Sequence, residues 1–542
     1  MKQIYSKSVR TVAWLGPESA ELAEGIAFLS HLSKIHPEIK AYSHGRNTRE
    51  VPRHLWLPEK WKALERFFDL DWWKRIWTLQ EYVSCNAIDL YCGSHHVDED
   101  TLATALSSIW NCEPDSELIR PDLWAAAWTR NRLRVWYQFK DYSANMNLIA
   151  LMAYTGACEL TDPRDRIYGL LGLAKERDRA IIGRPAYADD VRDIYLRLIT
   201  SFINEYKSLD IICFAQIFRP ADDQEDEDMN DEGLETQWPS WVPDWRIRAV
   251  PFVAPLMVSQ TSGRHIGNFR PPVYGYFREV QEAKSYHADG GMSSLKIIDT
   301  HSTDLKCQGF SIDTIDGLGS VLSSPDHSAT QHATPFIQST SDVNVLDEAL
   351  EPEDLSDFMT DIARTLTLDR LDRYFSALAP GEKFRDEFLN LINVAQHVDR
   401  EDLPARGRSV CAWYDANKDL LLRGRTLDQH CRHWTPTRDI SVEDIQTHPW
   451  AFASRLVDST SPITMQKKLL VTAGGLIGMA PPQARKDDLV CVLLGCSVPV
   501  VLREARVGQQ SAYRFIGECY LHGFMDGEVG HQGKDLQGFT IV

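Results

Sequence analysis

The sequence predicts an α+β protein. Apolar runs of strand length lie near both ends of the chain, apolar residues at helical spacing fill the middle, and 542 residues exceed a single core. At roughly 100–200 residues per domain, about three or four units are expected. Hydrophobic residues make up 43% and charged residues 25%, which excludes a fibrous or wholly disordered chain.

Thr11–Leu15 (TVAWL) reads as an apolar strand ended by Gly16 and Pro17. Leu22, Ile26, Leu29 and Leu32 recur at helical spacing, so residues 19–35 form an amphipathic helix. Residues 36–57, polar and proline-containing, read as a loop. Pro58 opens a second helix with Trp61, Leu64, Phe67 and Phe68 on one face. Ala87–Tyr91 alternates like a strand and ends at Cys92-Gly93. Residues 98–112, 121–153, 166–174 and 188–206 read as helices. Asp222–Glu232 carries eight acidic residues in eleven and reads as a solvated loop. Residues 250–320 read as irregular and partly β.

Lys468–Thr472, Leu476–Met479, Leu489–Leu494, Val498–Arg503 and Tyr513–His522 read as short strands. Their spacing of about ten residues suggests a small barrel. The expected division is 1–97, a mixed or helical 98–319, a partly disordered linker at 320–357, helices at 358–464 and a small β-rich domain at 465–542.

With 58 basic and 77 acidic residues the net charge is −19, which disfavours nucleic acid and anionic membranes as partners. The longest apolar run, Leu489–Leu502, is too short for a spanning helix and contains Gly495 and Pro499. Eleven scattered cysteines, with no run of signal-peptide length at the N-terminus, read as reduced thiols of a cytoplasmic protein. Phosphate-loop, dinucleotide-fingerprint and G-x-S-x-G patterns are absent from the sequence, so an enzyme activity is not expected from motifs.

Several residues invite chemistry. Cys92, His95 and His96, and His430, Cys431 and His433, are the densest sets of metal-ligand types. Neither has the paired spacing of a structural zinc site, and His95 and His96 would face opposite ways on a strand. No metal or tight cofactor is expected. Glu81 follows Trp72, Trp73, Ile76, Trp77 and Leu79. A carboxylate desolvated there would suit acid–base work, while the plain alternative pairs it with Arg75 or a backbone amide. Asp162-Pro163-Arg164-Asp165 reads as helix-opening turn chemistry. Trp238, Trp241 and Trp245 read as pins holding a loop onto a domain.

Several of these stretches together resemble the fungal heterokaryon incompatibility (HET) domain family. Ile4-Tyr5-Ser6 with Val12–Gly16 resembles its IYxxAxxVxxWLG stretch, and Trp72–Glu81 its WFxRxWTxQE end. Tyr91-Cys92-Gly93 and Leu160–Ala174 (LTDPRDRIYGLLGLA) resemble segments that follow in the family, as does Pro239–Arg246 (PSWVPDWR). Lys467–Glu528 resembles its C-terminal region. The family's opening YxALSYxWG and WIDAxCINQ motifs are absent from this sequence, so the chain is expected to begin near the middle of the domain.

The resemblance implies a role in non-self recognition and programmed cell death, exerted through protein partners of the incompatibility system. It also implies a truncated TIR-like layer at the N-terminus, in which the apolar strand Thr11–Leu15, without its early neighbours, is expected to favour self-association. Some TIR proteins cleave NAD with an essential glutamate, and Glu81 is the acid that matches. The alternatives it leaves are an NAD glycohydrolase, inactive in this truncated form, and a remnant or decoy of a full-length relative.

Overall fold

Ser19 accepts a hydrogen bond from the Leu22 N–H at 3.2 Å and caps the helix that follows. In this computed structural model, the described residues are 2–46, 51–112, 118–138, 146–219, 238–248, 257–260, 286–292, 302–321, 336–345, 352–371, 377–395, 403, 405–432, 451–460, 466–507 and 510–542. They form two units, Met1–Val191 with Trp245–Val253, and Arg192–Asp244 with Ala254–Val542. Among them no helix is long and apolar enough to cross a membrane.

The first unit opens with α1 (Lys2–Lys7), β1 (Thr11–Gly16), α2 (Ala20–Lys34), α3 (His36–Arg46) and α4 (Pro58–Phe68). Then come α5 (Asp71–Lys74), α6 (Thr78–Val83), β2 (Ile88–Cys92), β3 (His95–Asp98) and α7 (Glu99–Cys112). It continues with α8 (Pro121–Gln138), α9 (Leu148–Tyr154), α10 (Asp165–Tyr168) and α11 (Glu176–Ile182). The sheet order is β1-β2-β3, with β1 parallel and β3 antiparallel to β2.

On α4, Trp61, Leu64, Phe67 and Phe68 are all buried, as their spacing requires. α2 packs on α4 so closely that a Cβ at Gly25 would lie 2.3 Å from the Ala63 carbonyl oxygen. α7 buries Leu102, Ala105, Leu106 and Ile109, and it packs on α2. The chain beyond residue 97 therefore continues the N-terminal layer, because α7 supplies part of its apolar cover.

Two local expectations are corrected. The segment 36–57 is not all loop, since Pro37 falls in the first turn of α3, where a missing N–H costs little. The helix expected over 166–174 is confined to Asp165–Tyr168. Turns carry the rest of that segment, and a Cβ at Gly172 would lie 2.7 Å from Gln80 Oε1. The helix expected over 121–153 appears as α8 and α9, with 139–145 outside the described residues. The acidic run at 222–232 also lies outside them.

The second unit begins with α12 (Val191–Tyr206) and β4 (Leu305–Leu318). Helices follow as α13 (Asp342–Val345), α14 (Pro352–Leu366), α15 (Gly381–Ala395) and α16 (Ala405–Asn417). The hairpin β5 (Leu421–Leu422) and β6 (Arg425–Thr426) leads to α17 (Leu427–Arg432) and α18 (Ala451–Thr460). The last strands are β7 (Lys468–Thr472), β8 (Ile477–Ala480), β9 (Leu489–Leu493), β10 (Val500–Val507), β11 (Gln510–Glu518), β12 (Tyr520–Leu521) and β13 (Leu536–Ile541).

These strands form one sheet in the order β12-β8-β7-β4-β13-β11-β10-β9, and β9 also pairs with β4. The order thus returns on itself. β4 makes this possible by changing partners along its length. It pairs with β13 over Leu305–Phe310, with β9 over Gly309–Thr314 and with β7 over Ile315–Leu318. Phe310, Ile312, Val490, Val492, Val501 and Ile516 lie in the core it encloses.

The strands expected near the C-terminus are present, but they share β4, which lies far upstream. Within the stretch expected as a linker, Ser339, Thr340, Ser341 and Asn344 all donate to the Asp316 carboxylate. Beside the sheet, Phe384 and Phe388 of α15 pack on Phe452 of α18 with ring centres 5.8 and 5.1 Å apart.

Candidate functional site

Glu81 lies on the first turns of α6, directly behind the tryptophan pair of α5. Trp72 and Trp73 meet edge to face at 4.8 Å, and the Trp72 indole N–H donates to Glu81 Oε2 at 3.3 Å. The Tyr5 hydroxyl, brought in by α1, stands close to the Glu81 carboxylate. Burial, and then the negative charge of Glu81, raise the Tyr5 pKa above its ordinary value. Glu81 is therefore held by the Trp72 indole, beside the Tyr5 phenol, and not by Arg75, the partner its sequence position offers. The next residue back, Gln80, is buried and donates to the Gly169 carbonyl at 2.7 Å.

Sequence reasoning missed two residues of this site, Arg130 and Arg134 on α8. Both are buried, one helical turn apart. The Arg130 guanidinium stands 5.8 and 5.9 Å from the ring centres of Trp72 and Trp73 and donates to the Arg75 carbonyl and Thr78 Oγ1, each at 3.0 Å. Burial lowers its pKa, while Glu81 is among the groups that favour its charge. Arg134 grips both oxygens of Glu99 at 2.5 and 2.7 Å and donates to the carbonyls of Tyr82 and Cys85 at 2.7 and 2.8 Å. The signal was available: Ala127, Arg130 and Arg134 fall on one helical face, and a cation on an otherwise apolar face requires buried acceptors.

The other candidates are brought into structural roles. Asp162 Oδ1 accepts from the Arg164 backbone N–H and guanidinium at 2.9 and 2.8 Å, closing the turn before α10. Asp165 accepts from Trp77 Nε1 at 3.0 Å and from the Tyr187 hydroxyl at 2.6 Å. Arg166, fully buried, donates to the carbonyls of Thr155, Cys158 and Trp245. In the second unit, Trp241 is buried and donates from Nε1 to the Thr303 carbonyl at 2.9 Å, which pins its loop as expected.

His95 and His96 do point to opposite faces of β3. His96 Nε2 bonds the buried Asp89 at 3.0 Å, and Cys92 is buried on β2. His430 is buried, bonds the Leu422 carbonyl at 2.8 Å and packs against Phe358, beside a buried Cys431. His433 lies outside the described residues.

The geometry around Glu81 offers a carboxylate, a phenol, an indole face and a buried guanidinium within one small region. That set braces the α5–α6 segment against α8.

Comparison with known proteins adds sequence-level findings. Residues 1–81 match the family described as heterokaryon incompatibility protein (HET), and residues 451–541 match the Het-6 beta-barrel domain. Heterokaryon incompatibility protein 6, OR allele, of Neurospora crassa is 22% identical to the chain over 602 aligned residues, taking in 100% of this chain and 80% of that protein. No solved structure matches the chain.

Proposed function

We propose that the chain is a heterokaryon incompatibility family protein, as its matches over residues 1–81 and 451–541 and its likeness to the Neurospora crassa protein support, and that it serves fungal non-self recognition and the regulated cell death that follows incompatible fusion. The observation that carries this reading is the pair of family segments at the two ends of the chain, in one protein whose relative of that name aligns along all of it. The proposed mode of action is contact with protein partners inside the cytoplasm. In support, the chemistry-bearing side chains near Glu81 are engaged with one another and with backbone carbonyls, as a binding scaffold requires.

Two architectural readings belong to the same proposal. The N-terminal layer is taken as TIR-like, supported by the parallel pair β1–β2 with helices between them. The C-terminal sheet is taken as a barrel, supported by the β4–β9 pairing.

A second reading is an NAD-cleaving hydrolase with Glu81 as its carboxylate. It is favoured by one observation, the contact of that acid with the Trp72 indole and the Tyr5 phenol.

The test of the main reading is genetic. The gene is placed in a fungal strain, which is then fused with strains of the same and of different incompatibility type. Death or arrest of the fusion cells in selected pairings is expected. Normal heterokaryons in every pairing would overturn the reading.

A further inference from the structure

Among the described residues, β1 is an edge of the three-stranded sheet. Its side chains alternate: Ala13 and Leu15 are buried, while Val12 and Trp14 are 64% and 59% exposed on the opposite face. Val12 stands beside Asp89 in register, Trp14 beside Tyr91, and Tyr91 beside His96. Asp89 bonds both Arg10 and His96, so the acid on this face is already neutralised.

The backbone has the same one-sidedness. The Thr11 N–H donates to the Ala87 carbonyl at 2.8 Å. Odd-numbered residues of β1 therefore bond toward β2, and the N–H and C=O groups of Val12 and Trp14 point to the open edge. Between Arg10 and Glu18 the strand has no charge. Lys7 and Arg10 stand at its start, and Glu18 and Glu21 follow its end.

We propose that this edge is the docking site for a second copy of the chain. The two β1 strands run antiparallel about a two-fold axis at Ala13, making one continuous six-stranded sheet. The charges select this arrangement. An antiparallel copy sets each basic start beside the other's acidic end, whereas a parallel copy aligns like with like. In this register Val12 lies opposite Trp14 of the second copy, so the two exchange backbone hydrogen bonds and pair a β-branched with an aromatic side chain. Arg10 falls diagonally from Glu18 of the second copy, within reach of long side chains. The contact avoids the rest of a surface whose net charge is −19. This inference does not depend on the proposed role in incompatibility.

The test uses the full chain in sedimentation velocity over a dilution series, with amide exchange followed residue by residue. A reversible dimer is expected. The Val12 and Trp14 amides should become protected as concentration rises, while Thr11 and Ala13, bonded to β2, stay protected at every concentration.

Val12→Pro removes an outward donor and leaves the bonds to β2, and proline is tolerated on an edge. Trp14→Lys keeps the backbone and removes the aromatic pair. Each should weaken the dimer about tenfold or more. The proposal is overturned by a monomer at all concentrations with fast exchange at Val12 and Trp14. It is equally overturned by a dimer undiminished in both variants, or by assembly beyond two copies.

Discussion

Lys467 Nζ and Glu518 Oε1 meet at 3.4 Å with both side chains shut away from solvent. The ammonium also donates to the Glu518 carbonyl at 3.0 Å, and the carboxylate accepts the N–H groups of Met257 and Val258 at 2.8 and 3.2 Å. One ion pair thus ties the start of β7 and the end of β11 to a short segment far upstream. Burial raises the Glu518 pKa despite these partners.

Lys467→Met leaves that carboxylate buried without its cation. The expected loss is about 3–5 kcal/mol of unfolding free energy. Denaturant melts of the variant and of the double change Lys467→Met with Glu518→Leu measure it. The double variant should recover part of the loss, since neither charge is then stranded.

Asp316 contributes to the acid sensitivity of the second unit. Burial opposes its ionisation, but hydrogen bonds from Lys486, Ser339 and the Ser341 and Thr340 N–H groups outweigh it and hold the carboxyl well below the usual range. A carboxyl depressed in the folded state contributes stability that is fully present above its unfolded pKa of about 3.9 and is lost as pH falls below that value. Acid melts should show this loss. In Asp316→Asn the protein should be less stable at neutral pH, and its stability should fall less steeply between neutrality and acid.

The β-rich C-terminal region should not fold without β4. A fragment covering residues 465–542 lacks the strand that pairs with β7, β9 and β13, so three strands lose a neighbour and Phe310, Ile312 and Ile315 leave the core. Circular dichroism of this fragment should show no cooperative melt. Adding a peptide covering 302–321 should restore one.

The purified chain should release no nicotinamide from NAD. Carboxylate chemistry on the ribose needs the nucleotide held in place, and positioning supplies roughly 7–11 kcal/mol in well-oriented systems. Glu81→Gln alongside identifies the source of any release. Release that disappears in that variant would overturn the non-catalytic reading and favour the hydrolase.

The periodicities were legible because they are local. A 3.6-residue repeat of large apolar side chains sufficed for α4, and short apolar runs bounded by turn residues sufficed for β1, β7 and β9. Glu81 was legible as an acid in an aromatic setting, because five of the ten residues before it are apolar or aromatic. Its partners were not legible. Tyr5 reaches it from 76 residues away in sequence, and Arg130 approaches the same tryptophans from α8.

The sequence by itself determined most element types, the acidic balance and the run of family segments, since these depend on side-chain order and composition. Only the tertiary structure decided that Leu305–Leu318 completes the C-terminal sheet and that Arg130 and Arg134 brace the Glu81 region. The physical reason is the same in both cases. A strand's partner and a buried cation's acceptors are chosen by which groups must escape water together. That choice joins residues whose separation along the chain has no bearing on their separation in space.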